Sequence, residues 1–165
     1  MNEINTVTLT PKQFQQRILA WFKIYGRKDL PWQQTKSPYR IWLSEIMLQQ
    51  TQVATVIPYF QNFIQAFPTL SSLAKADIEE VLHRWSGLGY YARARNLHRS
   101  AQIIEKEYFG KFPQDLMQLQ SLPGIGRTTA GAILALAFNK SASILDGNVK
   151  RVLTRVHAIP GSTAL

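Results

Sequence analysis

The feature that most constrains the fold of this chain is a five-residue sequence between two helix-like segments. Its residues are Leu122, Pro123, Gly124, Ile125 and Gly126. This sequence predicts a tight hairpin, in which Gly124 and Gly126 permit positive φ and leave no side chain that would block a close approach. Backbone N–H groups at the start of the next helix, near Arg127, could then face a phosphate.

The rest of the chain has a helical pattern. Thr10, Pro11 and Gln13 form an N-cap, a first-turn proline and a capping-box partner, and Gly26 is a plausible end for the helix that they start. Similar signals predict helices over about 37–50, 52–66, 77–87, 90–108, 127–138 and 147–158. No stretch is typical of a sheet, so we expect an all-α fold. We also expect Trp21 and Trp85 in its core.

The composition favours a polyanionic partner. The chain has 165 residues, with 19 Lys and Arg against 10 Asp and Glu, for a net charge of +9. A basic but otherwise ordinary protein is the alternative. There is no cysteine, which excludes disulfides and thiolate-bound metals within this chain, and three scattered histidines give no metal-ligand spacing. Without a membrane-length apolar run or a signal-peptide core at residues 1–10, we expect a cytoplasmic protein.

The segment around Glu45 is apolar nearly all round. Six large apolar residues between Ile41 and Leu48 surround most of this predicted helix, which indicates burial. A carboxylate in such surroundings loses hydration, which raises its pKa and makes it a proton donor near neutral pH. The alternative is a Glu on a narrow solvent stripe or one paired with a buried Arg.

A second carboxylate, Asp146, follows Gly126 by twenty residues and precedes the last predicted helix. Alone, it is best interpreted as a helix N-cap. Together with Glu45 it suggests another role, because cleavage of a glycosidic bond uses one protonated and one ionised carboxyl group. The acid assists the leaving group, and the anion stabilises the positive charge that develops on the sugar.

Residues from about 14 to 160 resemble the MutY-type adenine DNA glycosylases, which belong to the helix-hairpin-helix superfamily. The hairpin alone is typical of the whole superfamily, whereas the block from Glu45 to Gln52 is far more specific. The resemblance implies an all-α glycosylase fold with a six-helix-barrel lobe and a second helical lobe. The matching stretches are 30–32, 42–53, 87–93, 122–126 and 145–149.

The resemblance implies removal of adenine mispaired with 8-oxoguanine or guanine in double-stranded DNA. Glu45 matches the general acid that protonates the flipped adenine, and Asp146 matches the carboxylate that stabilises the sugar cation. Asn148 matches a neighbour that supports Asp146. Gln50 and Tyr90 match residues that wedge into the base stack around 8-oxoguanine.

Further positions carry over from the family in the same way. Lys28, Trp32 and Leu48 fall where the adenine pocket is lined. Thr128 stands where bifunctional relatives carry a lysine nucleophile, which implies that water completes the reaction and that lyase activity is weak or absent. The residues that match the DNA-binding hairpin are Leu122, Pro123, Gly124, Ile125, Gly126 and Arg127.

The chain also departs from the family. Relatives continue into further helices, four cysteines that bind a 4Fe-4S cluster and a NUDIX-like domain, so residues 1–165 are interpreted as a truncated catalytic domain without cofactor. We expect an incomplete second lobe, a monomer and impaired base excision. Two alternatives remain: a non-catalytic module that binds duplex DNA, and an endonuclease III-like glycosylase, against which Thr128 and the Glu45 block argue.

Overall fold

The computed structural model describes residues 9–161, and this range contains helices and no strand. The predicted all-α class is confirmed. No helix in the described range is long and apolar enough to cross a membrane. The helices are α1 (Pro11–Tyr25), α2 (Pro38–Met47), α3 (Val53–Ala66), α4 (Leu70–Lys75), α5 (Ile78–Trp85), α6 (Ala92–Glu107), α7 (Leu116–Gln120), α8 (Arg127–Phe138) and α9 (Gly147–Val156).

The chain divides into two compact units. The larger unit comprises residues 29–144 and contains α2 to α8; the smaller unit is formed by the two ends of the described chain, with α1 and α9. The short helices α4 and α7 were not indicated by the sequence pattern. Each is one to two turns long, and helices of that length carry too few residues to show a clear period.

The sequence pattern predicted the start of α1 and both ends of α8 accurately. The Thr10–Gln13 capping box is present at the start of α1, and α8 has the predicted bounds. In contrast, α2 ends at Met47 rather than near Gln50, and Gln50 adopts a left-handed φ of 57° in the turn that follows. Gly87, with φ of 92°, follows α5 in the turn toward α6.

Aromatic side chains build the core of the larger unit. Trp42, Phe63 and Trp85 are fully buried, which confirms the expectation for Trp85. The Phe63 ring lies 4.9 Å from the Phe67 ring and 6.0 Å from the Trp85 ring, edge to face in both pairs. These ring contacts pack α3 against α5.

The smaller unit buries little of its apolar surface. Neither α1 nor α9 has a fully buried residue, and the expectation that Trp21 belongs to a core is wrong, since this side chain is 56% exposed. The Phe14 and His157 rings lie 6.1 Å apart. A cavity of about 340 Å³ in this unit is lined by Phe14, Ile18, Asn148, Val149, Val152 and Leu153.

We expect Phe63→Ala to lower the free energy of unfolding by about 3–5 kcal/mol, because it removes a fully buried ring and leaves a cavity. Phe109→Ala is the matched control, since Phe109 is 88% exposed; its effect should stay within about 0.5 kcal/mol. Urea unfolding of the two variants measures both values. Equal losses would contradict this description of the core.

Candidate active site

Glu45 lies on α2 and faces a cavity of about 320 Å³ in the larger unit. The residues before and after it on the helix, Ser44 and Ile46, are buried, whereas Glu45 itself is half-buried. The predicted burial of the helix is therefore confirmed, and Glu45 is the position at which α2 presents a carboxyl group to an open space. The cavity is lined by Trp32, Gln33, Thr35, Lys36, Ile41, Ser44, Glu45 and Leu136.

The structure places one of the three predicted pocket residues in this cavity. Trp32 lines it and is held edge to face against Phe60, with 5.4 Å between the ring centroids. Leu48 is not among the lining residues. Lys28 belongs to the smaller unit, where its ammonium group donates a hydrogen bond to the Lys23 carbonyl at 2.6 Å.

Sequence reasoning missed the polar part of the cavity wall. Gln33, Thr35 and Lys36 line it and directly follow the 30–32 motif, which was the available signal. Ser44 also lines it, with its hydroxyl donating to the Ile41 carbonyl at 2.7 Å. The cavity thus combines an aromatic and aliphatic wall with hydrogen-bonding groups, as pockets for flat heterocyclic ligands do.

The hairpin forms as predicted, and its two glycines differ in backbone conformation. Ile125 N–H donates to the Leu122 carbonyl at 3.1 Å, and Gly124 has a φ of 77°, as a type II turn requires at its third residue. Leu122 and Ile125 are buried, and Gly124 and Gly126 are exposed. Gly126 does not adopt the positive φ that glycine permits: its φ is −82°, because it is the extended N-cap of α8.

A different property explains the glycine at position 126. A Cβ atom there would meet no protein atom within 4 Å, so the absent side chain leaves open space outside the protein. No side chain caps α8 at this end. The first N–H groups of α8 therefore face that space together with the positive end of the helix dipole. Arg127 is exposed beside them, and Thr128 is half-buried in the same turn.

Two side chains attach the hairpin to neighbouring helices. The Ser100 hydroxyl on α6 donates to the Pro123 carbonyl at 2.8 Å. Gln49, which follows α2, donates through Nε2 to the Gly124 carbonyl at 3.5 Å and to the Thr129 hydroxyl at 3.4 Å. The hairpin and the end of the Glu45 helix are thereby joined within the larger unit.

The structure brings Gln50 and Tyr90 together, and we call these two residues the wedge pair. They line one cavity of about 480 Å³ with Gln49, Ala92 and Arg93. Both have left-handed φ, 57° at Gln50 and 51° at Tyr90. For residues with a side chain this conformation costs about 1–2 kcal/mol each, so the surrounding structure must hold it. Sequence reasoning did not identify Arg93 as the adjoining cation.

Asp146 occupies the N-cap of α9 in the smaller unit. Its Oδ1 accepts a hydrogen bond from the Val149 N–H at 2.7 Å. Asn148, expected to support Asp146, instead accepts a hydrogen bond from Arg151 Nη2. Among the described residues, Asn148 and Asp146 share no hydrogen bond. The N-cap position suits an anion because it lies at the positive end of the helix dipole.

Comparison with known proteins identifies the family. A family model described as HhH-GPD superfamily base excision DNA repair protein matches residues 43–164. The chain belongs to this superfamily. The match includes Glu45, the hairpin and the Asp146 turn.

Curated relatives of the chain are named adenine DNA glycosylase. The protein from Buchnera aphidicola subsp. Acyrthosiphon pisum is 54% identical over 153 residues, which are 93% of this chain and 44% of the relative. The human protein is 46% identical over 162 residues, which are 91% of this chain and 30% of the relative. The chain therefore spans less than half the length of either relative.

Solved structures confirm the helix-hairpin-helix glycosylase fold. A thermostable thymine-DNA glycosylase superposes with a TM-score of 0.81 at 30% identity, covering 87% of this chain and 66% of the other. A non-covalent endonuclease III–DNA complex superposes with a TM-score of 0.71 at 24% identity, covering 88% and 68%. At that lower identity the second likeness bears on the fold alone.

The two hairpin glycines should respond differently to the same substitution. Gly124→Ser should lower the free energy of unfolding by about 1–3 kcal/mol, because φ is 77° and a Cβ atom would lie 3.0 Å from Asn96 Cβ. Gly126→Ser should leave stability within about 0.5 kcal/mol, since φ is ordinary, the space is open and Ser is a good N-cap. Thermal unfolding of the two variants decides; a larger loss at position 126 would refute this distinction.

Proposed function

We propose that this chain is the catalytic part of an adenine DNA glycosylase. It hydrolyses the N-glycosidic bond of adenine mispaired with 8-oxoguanine or guanine in double-stranded DNA. The observation that carries the proposal is the cavity in which Glu45 faces Trp32 and Ile41. The names of the relatives, at 46–54% identity, support adenine as the base removed.

Glu45 is proposed to act as the proton donor to the base. Its cavity of about 320 Å³ is of a size that a purine can enter, and it opens on the side of α2 where the carboxyl group lies. The flat Trp32 ring and the aliphatic Ile41 and Leu136 form surfaces against which a heterocycle can stack. Protonation of the base makes it a better leaving group, which is the role of the acid in glycosidic cleavage.

Asp146 is proposed to stabilise the positive charge that develops on the sugar. Only Oδ1 is used by the N-cap hydrogen bond to Val149 N–H; among the described residues Oδ2 has no hydrogen-bond partner. The capping bond orients the carboxylate, and the second oxygen is directed to substrate. Being an N-cap and being a catalytic anion are thus compatible roles for one side chain.

Water is proposed as the final nucleophile. Thr128 stands in the first turn of α8, and its neutral hydroxyl cannot form a Schiff base with the sugar. The reaction is then a hydrolysis that leaves an abasic site and an intact strand.

The hairpin is proposed to bind a DNA phosphate. The exposed start of α8 and the open space in front of Gly126 suit a phosphate oxygen, and the net charge of +9 favours DNA in general. Such backbone contacts carry no base information. Because we expect Gly126→Ser to keep the fold, a loss of its affinity for both matched and mispaired DNA would report this contact directly.

The remaining expectations are part of the same proposal. The chain acts as a monomer in the cytoplasm, where the wedge pair enters the base stack opposite the extruded adenine. The family's 4Fe-4S cluster needs four cysteine ligands, and this chain has none, so its residues do not fit that cofactor. No step of the proposed reaction involves it.

We expect Glu45→Gln to slow adenine release by about 100-fold to 10,000-fold, because the amide cannot supply the proton. The affinity for mispaired DNA should change little. Single-turnover release from a labelled duplex, with excess protein, measures the first value, and titration of the same duplex measures the second. Glu107→Gln, at an exposed position on α6, is the matched control. Release by Glu45→Gln at the parent rate would refute the assignment.

Thr128→Lys should introduce lyase chemistry, because it places an amine in the first turn of α8 where water otherwise completes the reaction. Borohydride reduction should then trap a covalent protein–DNA adduct on an abasic duplex. Thr128→Met, of similar length and without an amine, should give no adduct. Absence of the adduct in a folded Thr128→Lys variant would show that residue 128 does not face the sugar.

A further inference from the structure

The guanidinium group of Arg93 connects two separate loops. Arg93 lies at the start of α6 and is 9% exposed. Its two terminal nitrogens reach different parts of the chain. Nη1 donates to the carbonyls of Ile46 at 3.0 Å, Met47 at 2.8 Å and Gln49 at 2.6 Å. Nη2 donates to Thr51 Oγ1 at 3.2 Å, the Leu88 carbonyl at 3.3 Å and the Gly89 carbonyl at 3.2 Å.

These acceptors lie next to the wedge pair in the sequence, on both sides of Gln50 and just before Tyr90. Gln49 and Thr51 are the neighbours of Gln50 on both sides, and Gly89 directly precedes Tyr90. Both wedge residues have the left-handed φ that side chains disfavour. The backbone before Gln50, the Thr51 side chain after it and the backbone before Tyr90 are thus bound to one rigid group, at the two places where strain must be held.

Ring contacts add to this attachment. The guanidinium carbon lies 5.5 Å from the centre of the Tyr90 ring and 5.4 Å from that of the buried Trp85 ring. Trp85 Nε1 also donates to the Gly89 carbonyl, at 3.1 Å. Tyr90 is therefore fixed through its preceding carbonyl and its ring, while remaining 63% exposed.

A simpler role for Arg93 explains only half of these contacts. The last carbonyls of a helix lack partners, and a basic side chain that binds them serves as a C-terminal cap. Nη1 does this for α2 at Ile46 and Met47. A cap does not account for Nη2, whose acceptors at Leu88 and Gly89 lie in the other loop. The planar fork of arginine can serve both loops, whereas the single ammonium group of lysine cannot.

We propose that Arg93 is a positioning residue that holds Gln50 and Tyr90 side by side, so that the two side chains enter a DNA base stack as one unit. This inference rests on the proposed function for its use of DNA. The substrate feature recognised is the base stack around the base that lies opposite the extruded adenine.

Amide hydrogen exchange on the protein without DNA tests the positioning. Arg93→Lys and Arg93→Gln should raise exchange at least 10-fold in both segments 47–52 and 87–91, while segment 122–126 stays within 2-fold. Arg84→Gln controls for the loss of one charge, since Arg84 is exposed on α5. If Arg93→Gln fails to fold, Arg93→Lys and the nearly isosteric Thr51→Val carry the test, with a smaller rise in both segments expected for Thr51→Val. Faster exchange in one segment alone, or in neither, would overturn the proposal.

Base unstacking tests the consequence for DNA. A duplex with 2-aminopurine beside an adenine–8-oxoguanine pair should gain fluorescence on binding, and Arg93→Lys should reduce that gain at least 5-fold. Gln50→Ala should reduce it too, and the double variant should lose little more than the stronger single variant. Additive losses would indicate that Arg93 acts only on general stability, which overturns positioning.

The two hypotheses fail in distinguishable ways. If the parent chain binds the duplex without any gain in fluorescence, the proposed function fails, and the inference fails with it. If the parent gives the gain and Arg93→Lys lowers it no more than Arg84→Gln does, the inference alone is wrong.

Discussion

The burial of α2 is the constraint on which the candidate site depends. A helix that is apolar nearly all round needs neighbours on nearly every side, and α3, α6 and α8 pack against it. The position where this packing leaves an open space is the cavity that Glu45 faces. The end of the helix must also satisfy its last carbonyls, and Arg93 does so. The burial of α2 therefore positions Glu45, the proposed acid. It also leaves at the end of α2 the carbonyls that Arg93 of α6 binds.

The hairpin depends on α2 as well, through Gln49. Its amide group reaches both the Gly124 carbonyl and the Thr129 hydroxyl, so it spans the turn and the helix that follows. α8 in turn packs on α2. A phosphate held at the start of α8 and a base held beside Glu45 would then be positioned by one body, which limits the errors in distance that cost catalytic rate.

Sequence reasoning succeeded where a short-range rule decides the structure. The Thr10 cap, the bounds of α8 and the burial of α2 each follow from residues within one or two turns. Sequence reasoning failed where a side chain binds residues that are far away in the sequence. Arg93 stands in an alternating Ala–Arg stretch that is typical of a solvated face, yet its acceptors include carbonyls 44 to 47 residues away. The conformation of Gly126 could not be predicted for another reason. Glycine permits positive φ without requiring it, and an N-cap needs extended backbone.

The two carboxylates are held by different kinds of structure, and this difference matches the chemistry proposed for them. Glu45 projects from a buried helix and lines a cavity with aromatic and aliphatic walls, against which a base that is to be protonated could stack. Asp146 accepts a backbone N–H in the first turn of α9, which holds one oxygen of its carboxyl group in place. The capping bond occupies Oδ1 and fixes the direction of Oδ2 by covalent geometry. Asp146 is therefore oriented by the helix that it begins, and its second oxygen is the one proposed to face the sugar.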